Sequence, residues 1–258
     1  MKEDFYWLWL SKLGKITSNE KLKLIAKYGI DEIWNIEKKQ VFEILNNHEK
    51  VKMFFENRNT DILNKDYEYI NKNKINFVTI LDEEYPYLLK NIYDFPIALY
   101  MKGNVNALKN TSVALVGARN ASEYGIKIAK NMGYNLAKKR FNIVSGLAMG
   151  IDKYSHIGAI NSGGITTAII GSGLDIIYPK ENIKLYYNII ENNGLIATEY
   201  PLGTNPKPSN FPARNRIISG LSNGVIVIEA SKKSGALITA DFALEQGRNV
   251  YAIPRKYK

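Results

Sequence analysis

From residue 112 onward, short apolar runs alternate with stretches of helical spacing, and this alternation restricts the fold more than any other feature. Residues 113–116, 142–144, 165–170, 195–197, 225–228 and 250–253 read as strands made of nearly continuous apolar residues. A strand buried on both faces has that pattern, whereas a strand with one wet face alternates apolar and polar residues. Helices are predicted between them, over about 124–138, 151–160 and 182–190, from Arg214, and over 236–246. The order predicts an α/β fold with six strands in a doubly wound, mostly parallel sheet covered on both faces. A ligand crevice is expected at the carboxyl ends of the strands.

The preceding chain reads differently. Residues 1–66 are predicted as a small all-helical domain. Its apolar residues recur at helical spacing in Tyr6, Trp7, Trp9 and Leu10, in Leu22, Leu24 and Ile25, and in Val41, Phe42, Ile44 and Leu45. Thr17-Ser18-Asn19 before Glu20 offers a helix N-cap, Gly29 a stop, and Asp31 a cap for the next helix. Leu13-Gly14-Lys15-Ile16 followed by a basic helix has some likeness to a helix-hairpin-helix, but the nearly neutral charge here favours a structural or docking role. Residues 67–110 form a bridging segment with strands at 75–80 and 96–100. Residues 111–258 form the sheet domain.

The net charge is +10, and its placement is uneven. Residues 111–258 hold 18 basic and 9 acidic side chains, against 12 and 11 in residues 1–66 and 5 and 5 in residues 67–110. A Lys-rich composition alone would spread evenly. A basic domain favours polyanions, nucleic acid above all. With no cysteine there is neither a disulfide framework nor a thiolate metal site, and His48 and His156 lack metal-ligand spacing. No run of about 18 apolar residues exists to cross a membrane. The N-terminus lacks the basic start and apolar run of a signal peptide, so a cytoplasmic location is expected.

Each strand is expected to deliver a loop to the same edge. These loops carry Gly117 and Arg119, then Ser145 and Gly146, then Gly171, Ser172, Gly173 and the nearby Lys180, and finally Ser234 and Gly235. None reads as a dinucleotide fingerprint or a P-loop. The fourth loop is the most distinctive. Pro206, Pro208 and Pro212 exclude a regular helix or central strand over its first half. It holds Lys207, Phe211, Arg214 and Arg216. Two readings fit: a ring stacked on a base with cations on phosphates, or a buried loop anchor with its arginines in salt bridges. Catalytic signals are sparse. Ser155 and His156 are adjacent on a helix and point in different directions. Asp152, Asp175, Glu199, Glu229 and Asp241 are dispersed, and a single acid at a helix start commonly caps it.

Four runs occur in order: S-G-L-A-M-G-I-D, G-S-G-L-D-I-I-Y-P-K-E-N, F-P-A-R-N-R-I-I-S-G-L-S, and V-I-V-I-E-A-S-K-K-S-G-A-L-I-T-A-D-F-A-L-E-Q-G-R-N-V-Y-A-I-P. Together they resemble the DNA-processing protein A family, DprA or Smf, over about residues 113–254. D-E-E-Y-P-Y-L-L and I-A-L-Y-M-K-G-N are similar to the segment before that family's core, and the first helices resemble its small sterile-alpha-motif-like domain. The resemblance implies an extended Rossmann-like fold that binds single-stranded DNA without a nucleotide cofactor and without catalysis. It implies protection of incoming strands during natural transformation and loading of the RecA recombinase. Matched by motif, the DNA-binding positions are Arg119, Lys180, Phe211, Arg214 and Arg216, with Lys207 beside them; Gly117, Ser145, Gly146, Gly171, Ser172, Gly173, Ser234 and Gly235 let the backbone approach. The family associates with itself and with RecA through the C-terminal part of its core. Here the sequence departs from the family at Arg255-Lys256-Tyr257-Lys258 and shows no winged helix, so a homodimer and RecA loading are expected to suffer first. The alternative is a Rossmann-like enzyme or binder acting on a small nucleotide or nucleoside phosphate, with Glu199 or Glu229 as its acid. A third reading is a partner-docking module.

Overall fold

The computed structural model describes residues 3–232 and 234–254; the tail at 255–258 lies outside the described residues. Five helices open the chain: α1 (Glu3–Ser11), α2 (Ser18–Tyr28), α3 (Lys38–Leu45), α4 (His48–Glu56) and α5 (Thr60–Lys72). Local chemistry sets their ends. The Thr17 hydroxyl accepts the Glu20 N–H while the Glu20 carboxylate accepts the Thr17 N–H, a reciprocal cap that starts α2. Gly29 stops it at φ 82°, where a β-carbon is costly. Asp31 does not cap the next helix. It sits in a turn, and α3 begins seven residues on, capped by the Glu37–Gln40 pair.

The rest of the chain follows as β1 (Asn76–Thr79), α6 (Tyr87–Lys90), β2 (Ala98–Gly103), β3 (Ser112–Gly117), α7 (Glu123–Lys138), β4 (Asn142–Ser145), α8 (Ile151–Asn161) and β5 (Thr166–Ile169). Then come α9 (Ile183–Glu191), β6 (Leu195–Thr198), α10 (Asn210–Gly220), β7 (Gly224–Glu229), α11 (Gly235–Glu245) and β8 (Asn249–Ala252). All eight strands form one sheet in the order β1-β2-β6-β5-β4-β3-β7-β8. The six from β3 to β8 are parallel, as their apolar runs require. Strands β4, β5 and β6 are buried at every position. The two strands of the bridge extend this sheet: β2 pairs antiparallel with β6, Tyr100 opposite Thr198, and β1 adds outside it.

Chain order reverses between β3 and β7. From β3 the chain winds outward through β4, β5 and β6, then returns to place β7 and β8 on the other side. Loops at the carboxyl ends diverge at such a point and leave a crevice. The helix that closes one wall, α10, starts earlier than its prolines suggest. It begins at Asn210 and takes Pro212 into its first turn. There a missing N–H costs nothing, because first-turn donors have no acceptor within the helix.

Four segments meet at a partly buried cluster of charge. Arg216 of α10 donates to both Glu199 oxygens at 2.6 Å and to Asp94 Oδ2 at 3.0 Å. Lys21 of α2 is 5% exposed and sits in the field of Glu199 and Asp94. The Ser18 hydroxyl donates to Phe95 O at 2.6 Å, fixing the start of α2 on the bridge. Burial pushes the Lys21 ammonium down to about 8 from 10.5, against the pull of Glu199, Asp94 and Glu20. The unfolded chain therefore binds more protons than the folded one between these values, so Lys21 destabilises the fold below about pH 8 and less as pH rises toward 10.5. Relative to Lys21→Met, the protein is expected to gain about 3–4 kcal/mol across that window, at about 1.4 kcal/mol per unit. Urea unfolding midpoints measured through the window test this; a gap between the two proteins that does not vary with pH contradicts it.

Candidate nucleic-acid interface

At the β3/β7 reversal lies a crevice of about 1380 Å³. The end of β3, the loop that follows it, the first turns of α10 and the loop from β7 into α11 line it. Its mouth is a stack of three side chains. The Phe211 ring lies 5.5 Å from the Tyr178 ring at 33°, and the Arg119 guanidinium carbon lies 5.2 Å from the centre of Phe211. Phe211 is half-buried and Tyr178 is 43% exposed, so the stack keeps an open side. Backbone behind it makes this possible. A β-carbon at Gly171 would stand 3.0 Å from Phe211 Cδ1, and Asn210 Nδ2 donates to Gly171 O at 2.9 Å, tying the start of α10 to the loop after β5.

Arg214 forms the floor. It is 3% exposed, its Nη1 donates to Gly146 O at 2.7 Å, and its buried Nε has no hydrogen-bond partner. A β-carbon at 146 would lie 2.6 Å from Arg214 Nη2, so any larger residue there would have to displace the guanidinium. Asp152 accepts the Gly146 N–H at 3.1 Å. Burial raises the Asp152 carboxyl above its usual range, opposed by Arg214. Burial also lowers Arg214 to about 10, opposed by Asp152, which still leaves it a cation at neutral pH. His156 lies under the same floor. Burial, reinforced by Arg214, brings it down to about 3, so the ring is neutral. Its Nδ1 is 2.6 Å from Thr166 Oγ1, and Thr166 donates onward to Ile143 O, so Nδ1 carries the proton.

Several predicted site residues converge here. Gly117, Arg119, Phe211, Arg214, Ser234 and Gly235 all line the crevice. Lys180 and Lys207 are exposed beside it, next to the lining residues Tyr178 and Pro208. The Ser234 hydroxyl caps α11 by accepting the Ala236 N–H at 3.3 Å.

Others occupy different places. Arg216 does not face the crevice; its charge is taken by Glu199 and Asp94. Burial works to lower it, but the two carboxylates outweigh burial and hold it above its usual range. The cause is helical. Residues two apart on α10 are separated by roughly 200°, so Arg214 and Arg216 point opposite ways. Nor does the turn at 145–146 offer free groups. Ser145 is buried and donates to Leu115 O at 2.6 Å, while the Gly146 amide is held by Asp152. The turn at 171–173 is likewise committed: Ser172 Oγ donates to Ile176 O, and the Gly173 N–H donates to Thr204 O. Gly146 and Gly171 brace Arg214 and Phe211.

Two crevice residues escaped the sequence reading. Tyr178 has no periodic signal and stands out only by its place before Pro179-Lys180. Glu229 was weighed only as a catalytic acid. It accepts the Ser122 N–H at 3.1 Å and the Ser122 hydroxyl at 2.9 Å, joining β7 to the start of α7. Among the described residues no helix is long and apolar enough to cross a membrane.

Known proteins share this fold. The family model described as DNA recombination-mediator protein A matches residues 76–258. The DNA processing protein DprA of Streptococcus pneumoniae is 49% identical over 176 residues, 68% of this chain and 62% of that protein. The chain thus spans less than two thirds of the curated relatives it matches first. The X-ray structure of the Streptococcus pneumoniae protein superposes with a TM-score of 0.83 at 38% identity, covering 99% of this chain and 87% of that one. DNA processing protein A of Helicobacter pylori, whose structure concerns its single-stranded DNA binding mode, superposes at 0.65 with 30% identity over 71% of this chain and 82% of that one.

The different places of the arginines have different consequences for stability. Arg216→Ala leaves the 19%-exposed Glu199 carboxylate without its partner, while Asp94 at 59% stays in water, and is expected to cost about 3 kcal/mol. Arg119→Ala touches an exposed group and is expected to stay within about 0.5 kcal/mol. Denaturant titration of both variants separates them; equal losses contradict the assignment.

Proposed function

The chain belongs to the family of DNA recombination-mediator protein A, and on that premise we propose that it binds single-stranded DNA, without sequence preference, in the crevice between β3 and β7. The observation that carries this reading is the open-sided stack of Arg119, Phe211 and Tyr178. Every base has a π-face, so an aromatic platform holds a strand whatever its sequence, and an unpaired strand alone can offer its bases edge and face. Arg119, Lys180 and Lys207 are exposed and have no carboxylate within 4.0 Å among the described residues, which leaves them for phosphates. Arg214 adds positive potential from below, where low dielectric strengthens it. The start of α11 adds backbone donors beside Ser234. In this reading Arg216, Ser145, Gly146 and residues 171–173 hold the platform and do not touch the strand.

The wider role follows from the family. In this proposal the protein guards incoming single strands in the cytoplasm during natural transformation and passes them to RecA, as the family suggests. The proposed role is that of a binding protein, and what supports it is that Asp152 and Glu229, the acids lining the crevice, both accept backbone N–H groups. The volume of the crevice, about 1380 Å³, favours one other reading, a binder of a small nucleotide.

Fluorescence anisotropy of a labelled single strand, titrated at several salt concentrations, decides between them. Affinity for the strand is expected to fall with a slope near −0.7 per phosphate contact on the logarithmic scale. Arg119→Ala should flatten that slope by about one contact, whatever the sequence. Phe211→Ala should cost about 1–3 kcal/mol of binding. Neither duplex nor ATP should displace the strand. Undiminished affinity in a folded Arg119→Ala protein, or ready displacement by ATP, contradicts the proposal.

A further inference from the structure

The sheet ends at β1, and no strand covers its outer edge among the described residues. Successive residues of a strand direct their N–H and C=O groups to opposite edges. The Ile80 N–H donates inward, to Ile97 O at 3.0 Å, so Val78, two residues earlier and opposite Leu99, also faces β2. Thr79 and Phe77 therefore face outward. The ring of Phe77 stands 4.9 Å from that of Tyr100 opposite it, as expected of a pair that exchanges no backbone hydrogen bonds and brings its side chains close.

Most of this outer edge is capped from within the chain. The Thr79 N–H donates to Asp82 Oδ2 at 2.6 Å, and its C=O accepts the Asp82 N–H at 3.1 Å. At the other end the Ile75 N–H donates to Ile70 O at 3.0 Å. Between the two caps, the N–H and C=O of Phe77 hydrogen-bond to no other described residue. They form one donor–acceptor pair at the spacing that an added antiparallel strand would meet.

A groove of about 460 Å³ runs beside this gap. Leu8 of α1, Ile70 of α5 and Val105 after β2 give it apolar walls, and Phe77 lines it. Its charged lining residues are Asp4, Asp82 and Glu84, and none of its described lining residues is basic. In a chain of net charge +10 this is the reverse of the sheet domain. Such a groove repels a polyanion and attracts a cation. Leu81, next to Asp82, is 60% exposed and adds an apolar contact at the rim. An open edge strand is a template for another strand; backbone bonds then give affinity, and the flanking groove chooses the side chains.

We propose that this groove takes an extended segment of a partner protein, bearing lysine or arginine, as a ninth strand beside β1. One residue of the segment exchanges both backbone hydrogen bonds with Phe77, and its cations meet Asp4, Asp82 and Glu84. Strands β2, β6, β5 and β4 separate β1 from β3, so the site is independent of the crevice and leaves the crevice open to DNA. It gives α1 and α5 a part in docking.

The Phe77 amide reports on this directly, through hydrogen exchange followed by NMR on the isotope-labelled full chain. The probe is an acetylated and amidated peptide of about six residues in which lysine alternates with threonine. At saturation it should slow exchange at Phe77 by at least about tenfold. Exchange at Thr79, already bonded to Asp82, should change by less than about twofold. The same peptide with N-methylated amides, or with glutamate in place of lysine, should give no protection. Asp4→Asn with Glu84→Gln should weaken the lysine peptide about 2- to 5-fold at low salt and leave the affinity for single-stranded DNA at the wild-type value. Single-stranded DNA alone should leave Phe77 exchange unchanged. Equal binding of the N-methylated peptide overturns the added strand, and equal binding of the glutamate peptide overturns the basic partner. A Phe77 amide left unprotected by millimolar lysine peptide overturns the site, whatever the crevice binds.

Discussion

The paired hold of Arg216 on Glu199 and Asp94 is the interaction on which the rest of the arrangement depends. It joins α10, the end of β6 and the bridge, and Lys21 brings α2 to the same place. Taking such charges out of water is costly, and the cost is met only where geometry is good on every side. Both Glu199 oxygens and Asp94 satisfy the guanidinium, so α10 has one rotation about its axis. That rotation aims Arg214 under the crevice and Phe211 at its mouth. Arg216, one of the positions matched to DNA binding by motif, sets the direction of those that line the crevice.

What surrounds the stack is a set of backbone groups already spoken for. Gly146 is held by Asp152 and holds Arg214; Gly171 accepts Asn210 and backs Phe211. A rigid platform loses little entropy when a base settles on it. Arg214 contributes through potential and not through reach, because it is nearly enclosed and partly neutralised by Asp152. Arg119 and the flanking lysines remain in solvent and free to move toward phosphates.

The parallel sheet was legible because strands buried on both faces must be apolar throughout, a signal that survives in 113–116 and 225–228 without any knowledge of pairing. The place of the bridge was not. Residues 96–100 read as a strand, but the pairing of β2 with β6 joins residues about ninety-five positions apart, and local pattern carries no record of that. The arginines show the limit most clearly. Arg214 and Arg216 share a motif, a charge and a neighbourhood, and a helix that starts four residues earlier than expected sends them to opposite faces. Small residues at 145–146 and 171–173 were visible as turns, while the groups that occupy their amides and hydroxyls come from distant loops. Tyr178 left only a faint trace because a single exposed ring has no period.

The claim that a base rests on the Arg119–Phe211–Tyr178 stack can be tested by contact. A thymidine oligonucleotide carrying a photoreactive base, irradiated with the full chain and mapped by mass spectrometry, reports which side chains touch it. Adducts at Phe211 or Tyr178, lost when an unmodified single strand competes, are the expected result. Adducts confined to surfaces away from the crevice mouth would contradict it.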